Sequence, residues 1–563
     1  MKLKSIILSF ITCISLVKAQ FFPKHYTKEQ MILAQQWVDT TYKNLSQDER
    51  LGQLFIVALY TNKGEKHIEE VSNIVKNDKI GGIILMQDDA ERQFRLVRDL
   101  QKTSKIPMLV GIDAEWGLYQ RFSTGYKFPW AITLGAIQNK NLIYQMAKII
   151  ANDCKNLGIN WNFAPVVDVN TNSDNPIIGN RSFGSDVDNV TISAINYANG
   201  LQDQNVMASI KHFPGHGDTN TDSHLDLPTV NHPISRLNSI ELAPFNKLIN
   251  NNIGGIMVAH IYVPALEKQK NTPASISKTI VTDLLKNKLG YKGIIITDAL
   301  NMGAVAKKYP AGELDALAFK AGNDIMLFSQ AVSEGKKLIQ KAIDSGEIPQ
   351  QRVEESVKKI LLTKYFLGLD KYSEPKTPSN INKLINTNQH RKLSISLYEN
   401  AITLLKNDSS FLPLQKEEKY YFLPMEEAGY STLYQEINKN KNIILITEKD
   451  LGNLPENAKI IISLHKDNST AYKPYKISDK TKNIIYNISK KYNILLNIQG
   501  SPYALKDLNI NNISSILISY ENNEDAMTAT AHAMLGETNI TGRLSVSIGN
   551  LFPSSSGIDL IKK

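Results

Sequence analysis

Short apolar runs recur along the first two-thirds of the chain, spaced so that a helix fits between neighbours. They lie at 51–59 (LGQLFIVAL), 80–86 (IGGIILM), 107–113 (PMLVGID), 159–169 (INWNFAPVVDV), 206–213 (VMASIKHF), 253–261 (IGGIMVAHI), 293–298 (GIIITD) and 323–329 (NDIMLFS). Most lack the alternation of a strand with one wet face, so they read as strands buried on both sides. Segments of helical period separate several of them, at 90–103, 142–157 and 187–204. Ser277 opens another, and its hydroxyl suits a helix N-cap. Eight such strands with crossover helices predict an α/β fold of the (β/α)8 TIM-type barrel kind. A doubly wound open sheet is the alternative that the same pattern allows.

The pattern breaks at 367–383 (LGLDKYSEPKTPSNINK), which is polar, holds two prolines and has little periodicity. This reads as a linker. Helical spacing returns around 390–405, then apolar runs follow at 420–423, 443–447, 460–464, 494–498 and 513–519, with a further helix at 525–535. A second α/β domain with an open sheet is expected. It carries no internal repeat and no Gly-rich phosphate loop. The expected division is a barrel over 20–370, a linker over 371–395 and the second domain over 396–563.

The N-terminus has a different pattern. Residues 1–19 (MKLKSIILSFITCISLVKA) place Lys2 and Lys4 before an apolar stretch at 6–17, and Val17-Lys18-Ala19 suits cleavage before Gln20. This predicts a secretory signal peptide and export to the periplasm or beyond. An uncleaved anchor or a buried helix is the alternative. Cys13 follows Thr12 rather than a Gly, Ala or Ser, which argues against lipidation at that residue. No other apolar run approaches the roughly 20 residues of a membrane-spanning helix, so no stable span is expected.

Composition narrows the classes further. With 563 residues, 42% hydrophobic and 21% charged, the chain is neither collagen-like nor wholly disordered. Two cysteines, of which cleavage would leave Cys154, exclude a disulfide framework and a structural zinc site built on cysteines. The charge of +9 is spread thinly, without a basic and aromatic stripe, so no nucleic-acid partner is expected.

In a barrel the chemistry sits at the C-terminal ends of the strands. Ionisable residues stand there at Asp113, at Lys211-His212, at His260 and at Asp298. The densest stretch is 211–228, KHFPGHGDTNTDSHLDLP. A metal set of His212, His216 and His224 is unfavourable: Pro214, Gly215 and Gly217 break any helix, and no Glu sits between the first two histidines as in H-E-x-x-H. No metal and no cofactor are expected. Asp222 and His224, two apart on an extended loop, can hydrogen-bond; the carboxylate would then orient an imidazole able to give and recover a proton. The other reading of that pair is a contact that merely holds the loop together.

KHFPGHGDTNTDSH resembles the bacterial β-N-acetylglucosaminidases of glycoside hydrolase family three. So do 112–122 (IDAEWGLYQRF), 179–184 (GNRSFG), 273–277 (PASIS) and 293–302 (GIIITDALNM), in the family's order. Residues 400–407 (NAITLLKN) are similar to the opening of that family's C-terminal α/β sandwich domain. The resemblance implies a retaining, exo-acting glycosidase. Asp298 would be the nucleophile that forms a covalent glycosyl-enzyme, and His224, paired with Asp222, the acid and then the base. Asp113, Arg121, Arg181, Lys211 and His212 match the positions that hold the sugar's hydroxyls and N-acetyl group. Glu115, inside the same motif, receives no role. The implied partners are N-acetylglucosamine-containing glycans or muropeptides; oligomeric state stays open.

The sequence departs from the family at Trp116-Gly117-Leu118, where Gly-Gly-Arg is frequent, and Trp116 offers a stacking surface. Barrel-only relatives act inside the cell, whereas a signal peptide and a second domain point to peptidoglycan fragments or other glycans outside the cytoplasm. The serine-hydrolase module of some secreted relatives is expected to be absent. Three other functions fit the same residues. A phosphorylase would exploit an imidazole that repels phosphate less than a carboxylate does. A β-glucosidase of the family fits poorly with Asp222-Ser223-His224. A non-catalytic glycan-binding protein fits poorly with Asp298, His224 and Asp222 all present.

Overall fold

A computed structural model of the protein describes residues 26–223, 226–374, 378–408, 410–439 and 442–562. The predicted signal peptide lies outside the described residues, as does His224. Among the described residues no helix is long and apolar enough to cross a membrane.

Each of the eight apolar runs holds a strand: β1 Phe55–Leu59, β2 Gly82–Leu85, β3 Leu109–Ile112, β4 Trp161–Asn162, β5 Met207–Phe213, β6 Gly255–Val258, β7 Ile294–Thr297 and β8 Met326–Leu327. Every residue in them is buried, which is why their sequences do not alternate. All pairings are parallel, in the order β7-β6-β5-β4-β3-β2-β1-β8. A bridge between Ile296 and Ile325, with Thr297 N donating to Ile325 O at 3.1 Å, brings β7 to β8 and closes the ring. The sheet is therefore a (β/α)8 barrel and not an open doubly wound sheet.

The crossover helices follow from local chemistry. In Ala90–Thr103, Asp89 caps the start by accepting from Glu91 N (2.9 Å) and Arg92 N (3.1 Å). Ala90, Phe94, Val97 and Leu100 then form a buried stripe at helical spacing. Burying the Phe94 ring alone contributes about 2 kcal/mol. Gln93 and Gln101 on the same helix donate to Met86 O and Met108 O, both at 3.0 Å, which fixes the helix against the ends of two strands. Inside the barrel, Gly111 of β3 is needed for close approach. A Cβ there would meet the Phe163 ring at 2.6 Å. Ser277 Oγ accepts from Ile280 N at 3.2 Å and supports the start of the helix at Thr279–Lys288.

The second domain is a six-stranded sheet flanked by helices. Its strands are β9 Thr403–Asn407, β10 Tyr420–Met425, β11 Ile443–Leu445, β12 Lys459–His465, β13 Asn493–Gln499 and β14 Ser515–Ile518, in the order β11-β10-β12-β13-β14-β9. Only β9 is antiparallel, on the edge beside β14. The helix expected at 390–405 spans Asn388–Ala401, and the chain turns into β9 where β-branched Ile402 and Thr403 enter. Leu404 and Leu405 are both buried, so apolar spacing alone could not separate helix from strand there.

The segment 371–395 holds the short helix Ile381–Leu384 and the start of Asn388–Ala401. His390 in it pairs with Asp153 of the barrel at 3.0 Å.

The C-terminal ends of the second sheet face the barrel. Past β14, Glu521 accepts from Trp130 N (2.8 Å) and Thr133 Oγ1 (2.9 Å). Past β13, Tyr503 OH accepts from Asn170 Nδ2 at 2.8 Å. Past β12, Ala471 O accepts from Asn180 Nδ2 at 3.0 Å. Trp116, Trp130 and Ile132 of the barrel pack with Ala471, Tyr503 and Val546 of the second domain. Trp116 is thus not the stacking surface expected of it. Its ring is buried at the domain seam, edge-to-face with Trp130 at 6.4 Å between centroids.

Candidate active site

A cavity of about 290 Å³ opens at the C-terminal ends of the barrel strands. Six of the residues singled out from sequence line it: Asp113, Arg121, Arg181, Lys211, His212 and Asp298. Ser223 lines it too, directly after Asp222, which is half-buried. His224, the proposed partner of Asp222, lies outside the described residues.

The cavity's charges are tied into one network. Asp113, one residue past β3, accepts from Lys211 Nζ at 2.7 Å through one oxygen and from Arg121 through the other. Both cations outweigh the effect of burial and hold the Asp113 carboxyl well below the usual carboxylate range. Glu115 forms a two-bond fork with Arg181 (3.0 and 2.6 Å) and reaches Lys211 at 3.0 Å. Burial would raise its pKa, yet Arg181 and Lys211 bring it down to about 2. Lys211 and His212 are consecutive, and both line the cavity. The β5–β6 register shifts between Ile210 and Phe213, so the strand's alternation breaks at this point.

His212 Nδ1 meets Asp168 at 2.7 Å, and its Nε2 lies 3.5 Å from Arg181. Asp168 also accepts from the backbone amides of His212 and His216. His216 is enclosed by Thr219 (2.7 Å) and Ser223 (3.2 Å). Burial, with His212 nearby, pushes its pKa down to about 4, so it is neutral at pH 7.

Asp298 stands one residue past β7 and accepts from Ala299 N at 2.8 Å. Enclosure by protein would raise its pKa. His212, His260, the Ala299 amide and Lys211 together outweigh this and keep the carboxyl below its ordinary value. It is therefore an anion at neutral pH, with a face on the cavity. His260 does not share that role. Its nitrogens are taken by Ser275 Oγ (2.7 Å) and Ala299 O (3.1 Å), so it supports the backbone beside Asp298.

Glu115, Asp168 and His216 are parts of the site to which sequence reasoning gave no binding role. Asp168 lies inside the apolar run 159–169 and well past the end of β4 at Asn162, so counting strand ends in the sequence did not mark it. Glu115 has no local signal either, because its partner Arg181 is distant in the chain. Near the base of the loop that carries Asp222, Asp218, His232 and Glu241 bring their ligand atoms within 4.8 Å of one another. Arg236 pairs with Asp218 at 2.8 Å and Glu241 at 3.4 Å, so the cluster acts as an ion-paired anchor for that loop.

The arrangement offers charged donors and acceptors around a space of sugar size, beside a carboxylate held ionised. The chemistry of such a site suits a small polyhydroxylated molecule, to which a carboxylate nucleophile can be presented. Comparison with known proteins agrees. Residues 46–363 match the "Glycosyl hydrolase family 3 N terminal domain". The chain is 28% identical over 389 residues to a "Beta-N-acetylglucosaminidase/beta-glucosidase" of Cellulomonas fimi, covering 68% of each chain. It is 31% identical over 393 residues to "Beta-hexosaminidase A" of Pseudoalteromonas piscicida, covering 64% of each. Among solved structures, a glycoside hydrolase family 3 beta-N-acetylglucosaminidase from Paenibacillus sp. str. FPU-7 is similar with a TM-score of 0.74 and 28% identity. That likeness covers 90% of this chain and 99% of that one. A family match over more than half of the sequence, on a barrel whose strand ends build this pocket, establishes that the chain belongs to glycosyl hydrolase family 3.

Proposed function

We propose that the protein is a retaining exo-β-N-acetylglucosaminidase that removes terminal β-linked N-acetylglucosamine from peptidoglycan fragments or related glycans outside the cytoplasm. The observation that carries this reading is Asp298. It is an ionised carboxylate at a strand end, facing a pocket whose other wall is the Asp113–Lys211–Arg181–Glu115 network. The names of the relatives at about 30% identity support the N-acetyl sugar as the glycone.

In the proposed mechanism the sugar's hydroxyls bond to Asp113, Lys211 and Arg181, with Arg121 holding Asp113 in place and His212 turned toward the substrate by Asp168. Asp298 attacks the anomeric carbon. The bond to the leaving oxygen breaks as His224, oriented by Asp222, gives that oxygen a proton. A covalent glycosyl-enzyme forms. His224 then takes a proton from water, whose oxygen attacks the same carbon and frees Asp298 with net retention. Export through the leader at 1–19 and glycan fragments of the envelope as substrate belong to the same proposal.

The test is release of nitrophenol from the β-N-acetylglucosaminide and the β-glucoside, with and without phosphate. Preference for the N-acetyl sugar, independent of phosphate, supports the hydrolase. Accumulation of sugar-1-phosphate would replace it with a phosphorylase, and preference for the glucoside with a β-glucosidase.

A further inference from the structure

Two features of the sequence take no part in the mechanism above: the segment 273–277 (PASIS) and His260 at the end of the sixth apolar run. The fold brings them together. Ala274 N donates to Ile261 O at 2.8 Å and Ser275 N donates to Ala259 O at 3.1 Å, so the segment is pinned on both sides of His260. His260 and Ser275 are both fully buried.

We propose that Ser275 and His260 are positioning residues that set the orientation and the charge of the nucleophile Asp298 through Ala299. The inference rests on the glycosidase reading above and adds what holds the nucleophile ready.

The backbone around Asp298 carries it. The Asp298 amide donates to Val258 O of β6 at 2.9 Å, and the Leu300 amide donates to Leu327 O of β8 at 2.9 Å. The chain crosses from one strand to the other at Ala299. There His260 Nε2 lies 3.1 Å from Ala299 O, and Ala299 N donates to Asp298 Oδ1 at 2.8 Å. A carbonyl oxygen only accepts, so Nε2 carries a proton and donates it. Burial lowers the His260 pKa, so the ring is neutral at pH 7 and its Nδ1 holds a lone pair. The Ser275 hydroxyl, 2.7 Å away, therefore donates to Nδ1. Ser275 thus selects the tautomer that grips Ala299, and Ala299 aims its N–H at the carboxylate. A hydrogen bond to the ionised form of a carboxyl favours that form. The other groups acting on the charge of Asp298 are Lys211 and His212 of β5 and His216 just beyond it. Asp113, Glu115, Arg121 and Arg181 complete the charged lining. None of these stands on the segments 259–261 or 273–277, so a change at Ser275 leaves them in place.

The experiment follows kcat/KM for β-N-acetylglucosaminyl fluoride against pH. Fluoride needs little protonation to leave, so the acid limb reports the nucleophile. Inhibition by N-acetylglucosamine measures sugar binding, and thermal denaturation checks the fold. Ser275→Ala is expected to lower kcat/KM at pH 7 about threefold to tenfold, the worth of one hydrogen bond, and to move the acid limb upward by about half a pH unit. His260→Leu removes the donor outright and is expected to do both more strongly, by about tenfold or more and about one pH unit. His260→Gln, whose amide can donate to Ala299 O, is expected to recover most of that loss. Inhibition by N-acetylglucosamine is expected to stay unchanged in all three. A wild-type rate and acid limb in folded Ser275→Ala overturns the proposal, and this variant decides alone should His260→Leu not fold. Equal loss of sugar binding and turnover, or His260→Gln no better than a folded His260→Leu, overturns it as well. A wild-type enzyme inert toward the fluoride would instead overturn the glycosidase reading on which it stands.

Discussion

Asp113 at the mouth of the barrel and Asp324 at its floor have much in common. Each is a carboxylate surrounded by cations. Asp113 meets Lys211 and Arg121; Asp324 meets Lys359 (2.8 Å), Arg352 (3.6 Å) and Lys286 (3.8 Å). In both, the neighbouring positive charges overcome burial and hold the carboxyl well below its usual range. The difference is access. Asp324 is 1% exposed, and its oxygens are taken by Ser356 Oγ at 2.6 Å, Ile295 N at 3.0 Å and Lys359. The Asp113 side chain is 16% exposed and lines the cavity. A depressed carboxylate within a cation cluster therefore marks a function only where a ligand can reach it. At the floor the same chemistry pins β8 and β7 to the helix Gln350–Phe366.

The comparison can be broken from both ends. At the mouth, Asp298→Asn should lower turnover by about 10⁴-fold or more while sugar binding, read by calorimetry, persists. Retained turnover would remove Asp298 from the chemistry. At the floor, Asp324→Ala should cost about 3–5 kcal/mol of stability in denaturant, because three cations lose their partner. Turnover of the remaining folded enzyme should match wild type. A selective loss of turnover with unchanged stability would erase the distinction between the two ends.

A smaller effect is expected from Asp113→Asn. The charged hydrogen bonds it weakens are worth about 1.5–3 kcal/mol, so kcat/KM should fall between tenfold and about 100-fold. Equal loss of stability and activity would assign Asp113 to the scaffold instead.

The last prediction concerns pH. Folded His216 has its pKa pushed down to about 4, against about 6.5 in the unfolded chain. Between those values the unfolded state binds more protons, so stability is full above about 6.5 and is lost as pH falls toward 4. His216→Gln should flatten that slope in urea titrations at pH 7, 6 and 5. An unaltered slope would assign the acid sensitivity to other groups.

The barrel was legible because its strands are buried on both faces, which leaves continuous apolar runs in the sequence. Its mouth was legible because strand ends can be counted: Asp113, Lys211, His212 and Asp298 all follow from that rule. The same rule also picked out His260, whose ring nitrogens turn out to be spent on Ser275 and Ala299. Three other features depend on contacts distant in sequence. Glu115 belongs to the site through Arg181. Trp116 is buried by the second domain, so its sequence neighbours could not reveal its role. β9 is a strand because β14 offers it an edge, where spacing alone fits a helix equally well.

The central claim is that Asp298 carries the glycosyl group. Incubation with an N-acetylglucosaminyl fluoride bearing a second fluorine at C5, followed by peptide mass mapping, tests it directly. The account predicts one added glycosyl unit on the peptide containing Asp298, absent from the Asp298→Asn variant. An adduct on Asp113 or Glu115, or turnover of the donor by a variant that lacks Asp298, would contradict it.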